Sequence, residues 1–210
     1  MLEIGNLTNR FGNWLQLAAL PYDWPHTPYV WKPKMSELVT SARLFAFNAH
    51  NAIEQRRKYT GDPYTVHLER VAALVASVVD DEAMIAAAYL HDTVEDTETT
   101  LEDISSNFGT EVAYLLTYLT DISRPEDGNR KTRKQLDREH IAKGNEHVHT
   151  IKLADLIDNS DSIQTHDPRF AAVYMEEKRL LLEVLADGHP ELLARARTIV
   201  DAWMRGNSPG

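Results

Sequence analysis

From Ser36 onward, apolar residues recur at three- and four-residue intervals and seldom alternate, a pattern that helices bury on one face and strands do not. Leu38, Ala42, Phe45, Ala46 and Ala49 make the first such stripe, which is expected to end near the Gly61-Asp62-Pro63 break. A second helix is predicted from about Thr65 to Val79 and a third from about Asp81 through His91. Thr99-Thr100-Leu101-Glu102 has the spacing of a capping box for a short fourth helix that stops at Gly109. Thr110 is expected to cap a fifth, carrying Val112, Leu115, Leu116 and Leu119. Arg124 to Asn129, with Pro125 and Gly128, reads as a loop, and Arg130 to Lys143 as either a polar surface helix or a mobile flap. A helix from about Val148 to Ile163 and two amphipathic helices bounded by Pro168 and Gly188-His189-Pro190 complete the chain. The expected fold class is all-α, a single-domain helical bundle over residues 36–206.

Residues 1–35 differ: Pro21, Pro25, Pro28 and Pro33 interrupt a stretch that also carries Trp14, Trp24 and Trp31. Proline at that density breaks helices, and the aromatics argue against a solvated tail. An irregular N-terminal strap without catalytic function is expected.

Several classes of function are excluded early. There is no cysteine, hence no disulfide framework and no zinc-thiolate site, so a metal must be held by His and carboxylate. No run approaches the roughly 20 apolar residues needed to cross a bilayer, and the start lacks the basic-then-apolar order of a signal peptide. No membrane association and a cytoplasmic location are the default. A net charge of −10 argues against nucleic acid as a partner, because such binding draws on Lys and Arg neutralising phosphates. A small anionic substrate stays compatible, since a bound dication and a few local cations can reverse the sign within one cleft. The oligomeric state is left open.

Chemistry concentrates at His67, at the adjacent pair His91-Asp92, and at Asp155 within Ile-Lys-Leu-Ala-Asp-Leu-Ile-Asp-Asn. An Asp set against core-facing residues is costly unless it is paired or binds a metal, and mixed nitrogen and oxygen donors suit a borderline dication such as manganese. His91 and Asp92 would point about 100° apart on a straight helix, so sharing one ion requires a helix end at that point. Glu95 and Asp96 follow one turn behind His91 and Asp92, where an acid can orient or deprotonate an attacking water. The plain alternative is two hydrogen-bonded core histidines with solvated helix-end acids. His147 and His149 are the competing ligands by position, and are read as surface or hydrogen-bonded residues.

Four segments, taken together, resemble the HD hydrolase domain of RelA/SpoT proteins, and above all the small alarmone hydrolases that carry that domain alone. They are Arg-Arg-Lys-Tyr-Thr-Gly-Asp-Pro-Tyr-Thr-Val-His at 56–67, Leu-His-Asp-Thr-Val-Glu-Asp-Thr at 90–97, Asn-Phe-Gly-Thr-Glu-Val at 107–112 and Lys-Leu-Ala-Asp-Leu-Ile-Asp-Asn at 152–159. The resemblance spans about residues 36 to 200 and implies an HD-type phosphohydrolase. By it, His67, His91, Asp92 and Asp155 hold one Mn2+, and Glu95 and Asp96 activate water. Arg57, Lys58 and Asn159 would meet a purine nucleotide, with Arg133 and Lys134 closing over its pyrophosphate. The implied reaction is removal of the 3′-pyrophosphate from guanosine tetra- or pentaphosphate or an adenosine analogue. NADPH 2′-phosphatase activity, another HD nucleotide phosphatase and a nonenzymatic nucleotide-sensing module are the alternatives. Leu68 replaces the Pro usual after the first His, and Asp161 an Arg found in many members, which bears on substrate choice.

Overall fold

Ser36 starts the first helix, its hydroxyl accepting the Val39 amide at 3.3 Å, and α1 runs Glu37–Ala52. The computed structural model describes residues 36–206, apart from the side chains of residues 161 and 162. The expected Pro- and Trp-rich extension and the side chain of Asp161 therefore lie outside the described residues. The buried stripe of α1 is Val39, Ala42, Ala46 and His50, with Leu38 and Phe45 flanking it, so the apolar face is rotated toward a histidine. α1 also ends well before Gly61. Glu54 takes a left-handed backbone (φ 51°), and the chain then folds into a loop closed by an antiparallel bridge between Arg56 and Pro63.

α2 covers Thr65–Ala76, shorter than its apolar pattern suggests. The Ser77 hydroxyl donates to the Leu74 carbonyl at 2.6 Å, a local bond that competes with a further helical turn. α3, Glu82–Leu90, is capped by Asp81 and is buried at every position from Met84 to Leu90. A helix apolar all round belongs inside, and α3 packs on α1, α2, α6 and α8. It breaks at His91, and a single turn, α4 (Thr93–Asp96), follows.

α5 spans Leu101–Phe108 and α6 Thr110–Leu119. Thr100, not Thr99, is the cap of α5: Asp103 reaches back to the Thr100 amide at 2.9 Å while the Thr100 hydroxyl accepts the Asp103 amide at 3.1 Å. At the α5–α6 junction Gly109 has φ 90°, which only glycine adopts readily, so Gly109 occupies the cap position and Thr110 is the first helical residue. After a 3-10 turn at Pro125–Asp127, the polar stretch is helical: α7, Arg130–Ile141, capped by Asn129. Ile141 and Asp137 anchor it, Asp137 accepting the amides of Ile122 and Ser123 at 3.1 and 2.9 Å and so tying α7 to the preceding loop.

α8 (Glu146–His166), α9 (Pro168–Val184) and α10 (Pro190–Gly206) close the bundle. α8 is buried continuously from Val148 to Ile151 and from Leu153 to Asp158, a second central helix beside α3. Gly188 lets the α9–α10 connection pass against it. A Cβ there would lie 2.6 Å from Leu153 Cδ1 and 3.1 Å from the His149 carbonyl carbon. Gly188→Ala is accordingly expected to cost about 1–3 kcal/mol of stability, read as an earlier denaturant midpoint with an unchanged slope. Among the described residues there is no strand, and no helix long and apolar enough to cross a membrane.

Candidate metal centre and active site

The helix break at His91 solves the geometric problem that adjacent ligands pose. Because α3 stops at Leu90 and α4 starts at Thr93, His91 and Asp92 turn toward one point, with His91 Nε2 3.0 Å from Asp92 Oδ2. His67, in the first turn of α2, brings its Nε2 to 3.2 Å from His91 Nε2 and 3.4 Å from Asp92 Oδ2. Asp155, from the middle of α8, places Oδ1 3.4 Å from His67 Nε2 and 3.9 Å from His91 Nε2. Four residues from three separated stretches thus converge.

Their other hydrogen bonds decide what they offer. His91 Nδ1 lies 2.9 Å from the Ala88 carbonyl and His67 Nδ1 2.7 Å from Asp158 Oδ2, so each Nδ1 carries the proton and donates it. Each Nε2 then presents a lone pair. Two imidazole lone pairs 3.2 Å apart, faced by two carboxylates, repel unless a positive charge sits among them. The donor set fits a divalent cation held by nitrogen and oxygen. Protonation answers the same demand: burial opposes charging His67, yet the carboxylates of Asp155, Asp158 and Asp92 hold its pKa well above the ordinary value.

Surrounding groups keep the carboxylates ionised. Burial alone would raise Asp155, but the Lys152 ammonium, 2.9 Å from its Oδ2, and the His67 imidazole hold it well below the usual range. Asp92, likewise opposed by burial, is held low by His91 and His67. Tyr64 donates to Asp92 Oδ2 at 2.5 Å, and burial together with the Asp92 charge keeps that phenol protonated.

Glu95 and Asp96 sit on the α4 turn. Glu95 is pushed up to about 7 by removal of its carboxyl from bulk water and by the negative charges of Asp121 and Asp92, although much of the residue is exposed. Asp96 is raised by desolvation and by Asp92, and accepts from Gln55 Nε2 at 2.8 Å. Gln55 is oriented by His50, whose Nδ1 meets its Oε1 at 2.5 Å. Beside Glu95 opens a cleft of about 230 Å³ lined by Glu95, Asp121, Ser123, Arg130, Arg133 and Lys134. Three cations of α7 therefore line the cleft that Glu95 borders. Arg130 makes a forked pair with Glu177 at 2.7 and 2.9 Å, and Lys134 pairs with Asp121.

The expected nucleotide-contacting residues fall differently. Arg57 is buried, 3.1 Å from Asp158 Oδ2 and donating to Asn159 Oδ1 at 2.9 Å. Asn159 in turn donates to Asp155 Oδ1 at 2.5 Å. Lys58 is exposed, its ammonium over the Tyr59 and Phe170 rings. His147 gathers with Asp81 and Glu111 at three helix starts, away from this centre, and His149 is buried with Nε2 3.2 Å from the Ile141 carbonyl. Sequence reasoning passed over Tyr64, Lys152, Asp158, His50 and Gln55. Only Lys152 and Asp158 carried a signal, each lying three residues from Asp155 on the same helix.

A family model described as the HD domain matches residues 42–186. The chain is similar to MESH1 of Drosophila melanogaster, a guanosine-3′,5′-bis(diphosphate) 3′-pyrophosphohydrolase, at 37% identity over 55% of this chain and 64% of that protein. It is similar to a protein of the same description from Aquifex aeolicus, at 35% identity over 70% of this chain and 20% of that one. The chain thus spans less than two thirds of the length of either relative. A solved structure described as a metazoan ortholog of SpoT that hydrolyzes ppGpp superposes with a TM-score of 0.69 at 27% identity, covering 85% of this chain and 98% of that one.

Proposed function

Because the chain belongs to the HD-domain family, we propose that residues 36–206 form a hydrolase that removes the 3′-pyrophosphate from guanosine tetra- or pentaphosphate or their adenosine counterparts. The observation that carries this is the convergence of four electron-pair donors, with both imidazole tautomers fixed, beside two acids of raised pKa and a cleft lined by cations. His67, His91, Asp92 and Asp155 would hold one divalent ion, manganese by donor type. When bound, that ion supplies Lewis acidity and neutralises charge at the phosphoryl group under attack.

The protein's own groups do the rest. Water attacks the phosphorus joined to the ribose O3′, the P–O3′ bond breaks, and pyrophosphate leaves from a nucleoside 5′-diphosphate or 5′-triphosphate that regains its 3′-hydroxyl. Glu95, with a pKa near neutrality, takes the proton of the water, and Asp96, held by Gln55, orients it. Arg130 and Lys134 receive phosphate oxygens by exchanging their Glu177 and Asp121 partners for substrate, and Arg133 joins them from the same cleft wall. Lys58 and Asn159 are assigned to the nucleoside side, and Arg57, buried against Asp158, supports Asn159 through its hydrogen bond.

Manganese-loaded protein offered guanosine tetraphosphate, its adenosine counterpart and NADPH in parallel should release pyrophosphate from the first two. Turnover of NADPH alone, with phosphate as product, would reassign the substrate. Tight binding of all three without turnover would make the chain a nucleotide sensor.

A further inference from the structure

We propose that Asp158 is a positioning residue that, with Arg57, locks two of the metal ligands from outside the centre. The inference rests on the metal-centre reading above and deepens it. His67 is fully buried, and its Nδ1–H has the Asp158 carboxylate as acceptor at 2.7 Å. That bond holds the tautomer in which Nε2 faces the centre, and an ionised acceptor makes the imidazole a better electron donor. The same Asp158 oxygen lies 3.1 Å from Arg57 Nη2, and its other oxygen 3.6 Å from Arg70 Nη1. Asp158 is therefore a buried anion held in place by cations, with its geometry set by the Arg57 fork.

The second arm of Arg57 acts on a different ligand. Nη1 donates to Asn159 Oδ1 at 2.9 Å, which fixes the amide so that Nδ2 faces Asp155 Oδ1 at 2.5 Å. One guanidinium thus reaches His67 through Asp158 and Asp155 through Asn159. Arg57, Asp158, His67, Asp155 and Asn159 close a ring, built from the 53–64 loop, α2 and α8. Arg57 sits on the same loop as the exposed Lys58, next to it in sequence. Nothing in the spacing of Asp158 from His67, 91 positions apart, discloses this pairing.

The test is Mn2+ titration by calorimetry, without nucleotide, of the full chain and its variants. Asp158→Asn keeps the shape and removes the charge; Asp158→Ala removes the acceptor; Arg57→Lys keeps the charge and removes the fork. Each is expected to bind Mn2+ roughly 10–100-fold more weakly than wild type, while Asp158→Asn keeps a wild-type circular dichroism spectrum at the titration temperature and melts lower, because the buried Arg57 charge loses its partner. Cobalt-loaded Asp158→Asn should show an altered visible spectrum, a change that a purely scaffolding residue would not produce. Wild-type affinity in both Asp158 variants, with His67→Ala defective as a control, would overturn the proposal and leave the centre intact. Undiminished binding in His67→Ala and His91→Ala would instead overturn the metal-centre reading itself. An Arg57→Lys protein with wild-type Mn2+ affinity would remove Arg57 from the ring.

Discussion

Asp92→Ala is expected to lose turnover and cation together, with activity down roughly 10³-fold or more and affinity for the dication down by more than the 10–100-fold typical of an outer partner. Asp92 Oδ2 lies 3.0 Å from His91 Nε2 and 3.4 Å from His67 Nε2, so its removal leaves two imidazole lone pairs facing each other with one carboxylate fewer to hold a positive charge. The fold should survive. Asp92 stands at the start of α4 but makes no side-chain capping bond there; its deletion eases repulsion with Asp96 and Asp155 yet also removes the anion that His67, His91 and the Tyr64 hydroxyl face. The measurable signature is a separation of two melting curves. Without metal, the variant should still melt cooperatively, at or somewhat below the wild-type temperature, and the rise that Mn2+ gives the wild type should be absent, since only binding to the native state adds stability. Tyr64→Phe serves as the companion: it deletes the 2.5 Å bond to Asp92 and keeps the carboxylate, so a modest loss is expected. Full metal occupancy in Asp92→Ala, by elemental analysis after dialysis, would remove Asp92 from the ligand set.

How much of this could be read from the chain follows from which information is local. The helical periodicity of α3 and the acids at Glu95 and Asp96 are local, and an unbroken apolar run such as Met84–Leu90 can only be an interior helix. The convergence of His67, His91, Asp92 and Asp155 was legible through the resemblance of the four motifs, since spacing alone does not say that α2 and α8 meet at the end of α3. Single-residue register was less accessible. Thr99 and Thr100 are equivalent as hydroxyls, and only the reach of Asp103 to the Thr100 amide selects between them. The role of Arg57 was hidden for a different reason: a cation in a basic run looks solvent-facing, and its burial depends on Asp158 and Asn159, about a hundred positions away. α7 shows the same limit in reverse, since a polar helix has no sequence signature for the buried Asp137 that ties it to the 121–124 loop.

Glu95→Gln is expected to reduce kcat by about 10²–10⁴-fold with little change in KM, the range for loss of a positioned general base. Glutamine can still accept the Asp121 amide that now reaches Glu95 Oε2 at 3.2 Å, so the α4 turn is preserved and the loss reads as chemistry. The pH profile carries the sharper prediction. With the carboxyl pushed up to about 7, a base role requires the deprotonated form, and wild-type activity should fall as pH drops through that region. A bound dication favours the ionised carboxylate, so the limb in the loaded enzyme should lie at or below 7. Asp121 supplies part of the upward push through its negative charge, and it neutralises Lys134. Asp121→Asn removes the first effect and releases the second, and both changes lower the pKa of Glu95. The acid limb of that variant should therefore move to lower pH. If the limb stays where it is in Asp121→Asn, or if Glu95→Gln keeps both wild-type kcat and the acid limb, the proton of the attacking water goes elsewhere and Asp96 becomes the base to test.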